Sequence, residues 1–299
     1  MDRKKAVAFF ELTLAVLSWG GSFVATKIAL RQVSPVTVIW LRFTMGVVIL
    51  GLMMFARRQF ALPEVKDLGY FALLGFLGIT FHQWLQSTGL ITAQATTTAW
   101  IVATTPVYMA LLGFLVLKEG LRNWQVVGIA LAVLGVLLVV TNGSLGSLSA
   151  GRFGTPGDFL ILISAPNWAV FSILSRRGLR QNPSTRMMFY VMAFGWLFTS
   201  ILLLVGPGIG EVRRLQVDGW LGVGFLGVFC SGLAFIFWYD GLQTLPAAQV
   251  GAFLYIEPFV TVIVAAVVLG EPLLLVSLLG GATILVGVWL VNRPAGKPI

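Results

Sequence analysis

The sequence predicts an all-α integral membrane protein: ten transmembrane helices, arranged as two inverted five-helix repeats around a central cavity. Three observations carry that prediction. First, 58% of the 299 residues are hydrophobic and 10% charged, with a mean hydropathy of +0.94, which excludes an ordinary water-soluble domain. Second, the stretch from Ala93 to Leu117 runs without a formal charge. As a helix it is long enough to cross a hydrocarbon layer of about 30 Å. Third, the stretch occurs twice. Ala247 to Glu271 repeats it at an offset of 152, so that Pro106 meets Pro258 and Glu119 meets Glu271.

The first span, about residues 6–30, follows Arg3-Lys4-Lys5. That start superficially resembles a secretory signal, but the apolar run is too long and no small-residue cleavage site follows it. An uncleaved span is therefore expected. Spans continue at about 36–56, 68–88, 95–117 and 123–141. Inside the fourth, Pro106 removes a backbone donor and frees the carbonyl of Val102. In lipid such a break survives only where it faces protein or a wet cavity. The longest polar break, Asn142 to Pro156, is rich in Gly and Ser and reads as a linker. It separates a first repeat, 1–141, from a second, 157–299, with the linker taken as 142–156. The second repeat holds spans at about 157–176, 187–206, 219–240, 247–269 and 273–292. In its first span Pro166 is expected to break the helix and free the carbonyl of Leu162.

The opening spans of the two halves match at an offset of 149, Trp19 with Trp168 and Lys27 with Arg176. Phe76-Leu77-Gly78 matches Phe225-Leu226-Gly227 at that offset, but Gly89 meets Gly241 at 152, so the eighth span or its exit holds three extra residues. An odd number of helices per repeat inverts the second half, and a kinked span in corresponding places points to a binding site. With the N-terminus inside, fourteen Lys and Arg flank the spans on the inner side and five on the outer. That bias places both termini in the cytoplasm and the linker outside. The net charge of +9 then reflects basic loops near anionic lipid and not a nucleic-acid surface.

Chemistry of other kinds finds little support. The single cysteine, Cys230, excludes an intrachain disulfide and leaves no cysteine-based metal site. There is no Walker motif, and one His with few buried acids makes no nucleophile–base pair. No catalytic residue, metal or cofactor is expected. The expected partners are a small-molecule substrate and membrane lipid, and the oligomeric state stays open.

Candidate site residues come from the interiors of the spans. Gly75, Gly78, His82 and Gln86 share a face of the third span, with Gln83 alongside. His82 and Gln86 either bond across a close helix contact or line a cavity. Trp100, Thr104 and Tyr108, at i, i+4 and i+8, lie deeper than a lipid-facing aromatic belt and are assigned to the cavity. Trp19, Asn167, Trp168 and Tyr255 join them, whereas Trp238 and Tyr239 either add aromatic surface or anchor a span end. Lys27 is read as snorkelling to the interface. Arg42 is deeper and pairs with backbone carbonyls or with a substrate carboxylate. Glu119 and Glu271 are read as helix-end residues without chemistry, and the glycine-spaced fifth and tenth spans as scaffold.

Glu257 is the only formal charge between Ala247 and Leu269. An ionised acid at that depth costs about 2.5–3.5 kcal/mol on insertion scales. It must face a cavity, pair with a cation or stay protonated. Two readings stand: it bonds the Leu254 carbonyl that Pro258 frees, or it binds a substrate amine or exchanges a proton.

Taken together these residues resemble the drug/metabolite transporter superfamily, in its EamA-like branch. The resemblance is carried by Ser18-Trp19-Gly20-Gly21-Ser22-Phe23 with Lys27, by Pro35, by Leu41-Arg42-Phe43, and by Gly89-Leu90 before Ala93. The Pro106 helix ending in Lys118-Glu119 and the glycine-spaced fifth span complete it, over about residues 10–292. The nearest group is the YddG-type bacterial exporters of aromatic and other amino acids. The resemblance implies no enzyme but a secondary transporter. Its expected task is export of amino acids, aromatic and other neutral ones, and related small metabolites across the bacterial inner membrane by alternating access. A nucleotide-sugar or other metabolite or drug carrier of the superfamily is the neighbouring reading, and an integral-membrane enzyme the remote one. Phosphate-bearing anions call for several Lys or Arg in the cavity, where these spans supply Trp, Tyr, Gln, Asn, Thr and one His. The second half departs from the pattern: no Arg matches Arg42 and Ala252 matches Trp100. The site is therefore expected to be asymmetric.

Overall fold

A computed structural model describes residues 3–118, 120–144, 154–206, 208–245 and 247–293. Among them, ten helices are long and apolar enough to cross a membrane. They are α1 (Arg3–Leu30), α2 (Pro35–Ala56), α3 (Val65–Gly89), α5 (Asn123–Val140), α6 (Pro156–Gln181), α7 (Ser184–Val205), α8 (Val217–Thr244) and α10 (Leu275–Asn292), with two broken ones between. α4 consists of Ala95–Val102 and Thr105–Leu117. α9 runs through Ala247–Phe253, a 3-10 turn Leu254–Ile256, then Glu257–Val264 and a π turn Ala265–Leu269. Glu119, residues 145–153 of the linker and Lys297 lie outside the described residues.

Both breaks fall where proline removes a donor, and both freed carbonyls find a partner. The Thr105 hydroxyl donates to the carbonyl of Val102 at 2.8 Å. On α9 the carbonyl of Leu254 instead accepts the backbone N–H of Glu257, in the tighter 3-10 turn. The predicted break at Pro166 does not occur, because α6 is one continuous helix through it. One missing donor does not end a helix whose neighbouring turns are held by side-chain bonds. Here Asn167 Nδ2 donates to the Leu77 carbonyl of α3 at 2.9 Å, and the Ser164 hydroxyl to the carbonyl of Ile161 at 2.7 Å.

The three extra residues of the second half lie inside α8. A π segment Phe76–Phe81 interrupts α3, and a longer one, Phe225–Leu233, interrupts α8. The two begin at residues that match at the smaller offset and end at residues that match at the larger. The insertion is absorbed as wider turns, a device common near functional sites.

Contacts between the halves come in matched sets. α2 packs on α7, α4 on α9 and α5 on α10, while α1 lies against α8 and α9 as α6 lies against α3 and α4. Small residues set the approach. A Cβ on Gly128 would meet the carbonyl oxygen of Gly287 at 2.6 Å, and one on Gly135 that of Gly280 at 2.6 Å, so α5 and α10 touch backbone to backbone. Leu12 of α1 fills the space over Gly241 on α8, and the matching Ile161 of α6 fills the space over Gly89 on α3. Leu52, Leu115, Leu204 and Val267 point outward, which is the expected face toward hydrocarbon.

Candidate functional site

Between the two halves lies a cavity of about 360 Å³, lined by residues of α1, α2, α3, α4, α6, α8, α9 and α10. That volume falls in the range of small-molecule sites. Of the residues expected there, Trp19, His82, Gln86, Trp168, Tyr255 and Glu257 are on its wall, as are Pro106 and Pro258. The π segment of α3 ends at Phe81 and delivers His82 to the wall. Its ring lies 4.7 Å from that of Trp168, and its Nδ1 is buried without a hydrogen-bond partner. Trp19 donates from Nε1 to the carbonyl of Cys230 at 3.1 Å, and its ring lies 5.2 Å from Trp238.

Four expected residues are placed elsewhere. Trp100 is 1% exposed and packs on the open face of Gly281 of α10 and edge-on to Phe259. Thr104 bonds the carbonyl of Ile101 at 2.6 Å, within the break of α4. Tyr108 lies a turn beyond and does not line the cavity, while Asn167 serves the α6–α3 contact described above. In their stead the wall gains Arg42, Gln83, Phe171, Phe235, Trp238 and Tyr239. The depth of Arg42 was the signal for the most consequential of these. Ser231, which meets Arg42, gave no signal, because a serine in an apolar span is common packing.

Arg42 donates from Nε to Ser231 Oγ and from Nη1 to Gln83 Oε1, both at 3.0 Å. Neither Arg42 nor Glu257 forms a salt bridge among the described residues.

The two ends of the bundle differ. At the linker end Lys27 Nζ donates to the carbonyl of Ala93 at 2.5 Å and lies 3.8 Å from Glu271. The Glu271 carboxylate accepts the backbone N–H groups of Ala95 and Thr96 at 2.8 and 3.0 Å. Glu271 is therefore no idle helix-end residue: an acid from the α9–α10 connection caps the first turn of α4, where unpaired N–H groups and the helix dipole favour an anion. Lys27 is tied into the same clasp and does not simply snorkel. At the end that carries the termini the cavity wall reaches Leu242 and Asn292, and Asn292 Nδ2 donates to the Tyr255 hydroxyl at 3.0 Å.

Known proteins resemble this chain in fold and in sequence. A crystal structure superposes with a TM-score of 0.66 at 21% identity, over 95% of this chain and 98% of that one, a likeness of fold. An uncharacterized transporter of Archaeoglobus fulgidus is 26% identical over 281 residues, 94% of this chain and 96% of that protein. A probable terminal-alkyne amino-acid exporter of Streptantibioticus cattleyicolor is 27% identical over 293 residues, 97% of this chain and 95% of that protein. The model of the EamA-like transporter family matches twice, over residues 7–141 and 155–293. The chain thus belongs to the EamA-like transporter family, as a multi-pass membrane transporter and not an enzyme.

Proposed function

We propose that this transporter exports amino acids, aromatic and other neutral ones among them, across the inner membrane of a bacterial cell. On this reading residues 1–141 and 157–299 are inverted repeats that rock about the cavity, and both termini are cytoplasmic. The observation that carries it is the cavity itself, walled by indole and phenyl rings together with hydrogen-bonding and charged groups, with the Lys27–Glu271 clasp at the linker end. With the termini inside, the cavity reaches toward the cytoplasm, the side from which an exporter loads. The matched contacts between the halves support the inverted repeat, and the name of the Streptantibioticus relative supports an amino-acid cargo. Among the described residues a single Arg lines the cavity, which argues against phosphate-bearing anions such as nucleotide sugars.

The test is counterflow in liposomes. Purified protein is expected to exchange external radiolabelled L-phenylalanine, L-leucine or L-threonine for unlabelled amino acid inside. Exchange of a nucleotide sugar with none of the amino acids would replace this reading with the anion-carrier one.

A further inference from the structure

We infer that the cavity recognises its substrate as a zwitterion, with Arg42 taking the carboxylate and Glu257 the ammonium group. This rests on the amino-acid reading above and adds which side chains hold which end of the cargo. Among the described residues, Arg42 and Glu257 are the only Arg, Lys, Asp or Glu that line the cavity, and they do not pair with each other. Each lacks the partner that its position in the membrane calls for.

Arg42 meets two neutral oxygens, Ser231 Oγ and Gln83 Oε1. Of the five N–H groups of a guanidinium, three are left for a ligand. A planar fork with free N–H groups matches a carboxylate, which accepts two at once.

Glu257 has a structural task open to it, bonding the carbonyl that Pro258 frees. That carbonyl, of Leu254, is already taken by the backbone N–H of Glu257 itself. The other half shows the alternative: at the matching position the Thr105 side chain does take the freed carbonyl, of Val102. The carboxyl of Glu257 is therefore left over from helix construction. It lines the cavity, and no side-chain or backbone donor meets it among the described residues.

Two opposite charges set deep in the membrane and kept from each other are costly. A ligand that carries both complementary charges relieves them together, whereas an amine or an acid alone leaves one unpaired. The rings of Trp19, Trp168 and Phe235 then face the substrate side chain.

Counterflow competition tests this. The labelled species is whichever of L-phenylalanine, L-leucine and L-threonine exchanges fastest. The competitors are the same amino acid, its decarboxylated amine and its deaminated acid. Wild type is expected to prefer the amino acid over either analogue by roughly 10- to 100-fold, the worth of a hydrogen bond to a charged group. Arg42→Gln should erase the preference over the amine and keep that over the acid, and Glu257→Gln should do the reverse. The analogue series on wild type needs no variant to fold. Equal competition by all three overturns the two-pole assignment and leaves amino-acid transport standing. Exchange of none of the three amino acids overturns the amino-acid reading, and the zwitterion site with it.

Discussion

Glu211, in the 3-10 turn Ile209–Arg214 between α7 and α8, accepts hydrogen bonds from the hydroxyls of Ser34, at 2.6 Å, and of Thr37. Partial burial works against its charge, but those bonds and the nearby Arg214 outweigh it, so its carboxyl is held below its ordinary value. A folded value below the unfolded one contributes stability that is complete above the unfolded pKa and is lost as pH falls through the folded one. Detergent-solubilised wild type should therefore melt above Glu211→Gln near neutrality, by the equivalent of about 1–2 kcal/mol. The gap should shrink as pH falls below the ordinary glutamate value, about 4.3, and close below the folded one. A gap that persists in acid would contradict the assignment. Trp100 makes a second case at this scale. Its spacing with Thr104 and Tyr108 marks one face of α4, but spacing does not say which neighbour that face meets. The neighbour is Gly281 on α10, far away in sequence, whose missing side chain accommodates the indole. Trp100→Ala is expected to cost about 3–5 kcal/mol of stability, seen as a lower melting temperature. Transport per folded molecule should hold, and normal melting with lost transport would return the ring to the substrate wall.

Element positions were legible because a span must be a long apolar run, and the breaks in α4 and α9 because proline removes a donor in both. The continuity of α6 was not, since Asn167, one of the side chains that hold its turns, bonds a different helix, at Leu77. Nor was the clasp at the linker end, where Glu271 caps a helix that begins far from it in sequence. If that carboxylate holds the first turn of α4, Glu271→Gln should speed hydrogen–deuterium exchange in the Ala93–Thr98 segment. The expected change is roughly tenfold, the worth of one hydrogen bond to a charge. Exchange at the wild-type rate would leave the clasp without an energetic role.

At the scale of the whole molecule the sequence repeat was readable from prolines and glycines kept at offsets of 149 and 152, and the family from their order. That Arg42 and Glu257 line one cavity was not, because they acquire their shared surroundings only when α2 and α9 meet the same space. Topology is testable directly. Single cysteines at Ser147 and Lys297, in a Cys230→Ser background, should be labelled from opposite sides of the membrane, and labelling of both from outside would refute cytoplasmic termini. The central claim is that the cavity is the substrate site and is loaded from the side of the termini. Ser172, on its wall, offers the most direct probe. With Ser172→Cys in the same background, a membrane-impermeant thiol reagent should react only from the cytoplasmic side, and saturating amino-acid substrate should block the reaction. Reaction from the outer side alone, or reaction that transported substrate leaves unchanged, would contradict it.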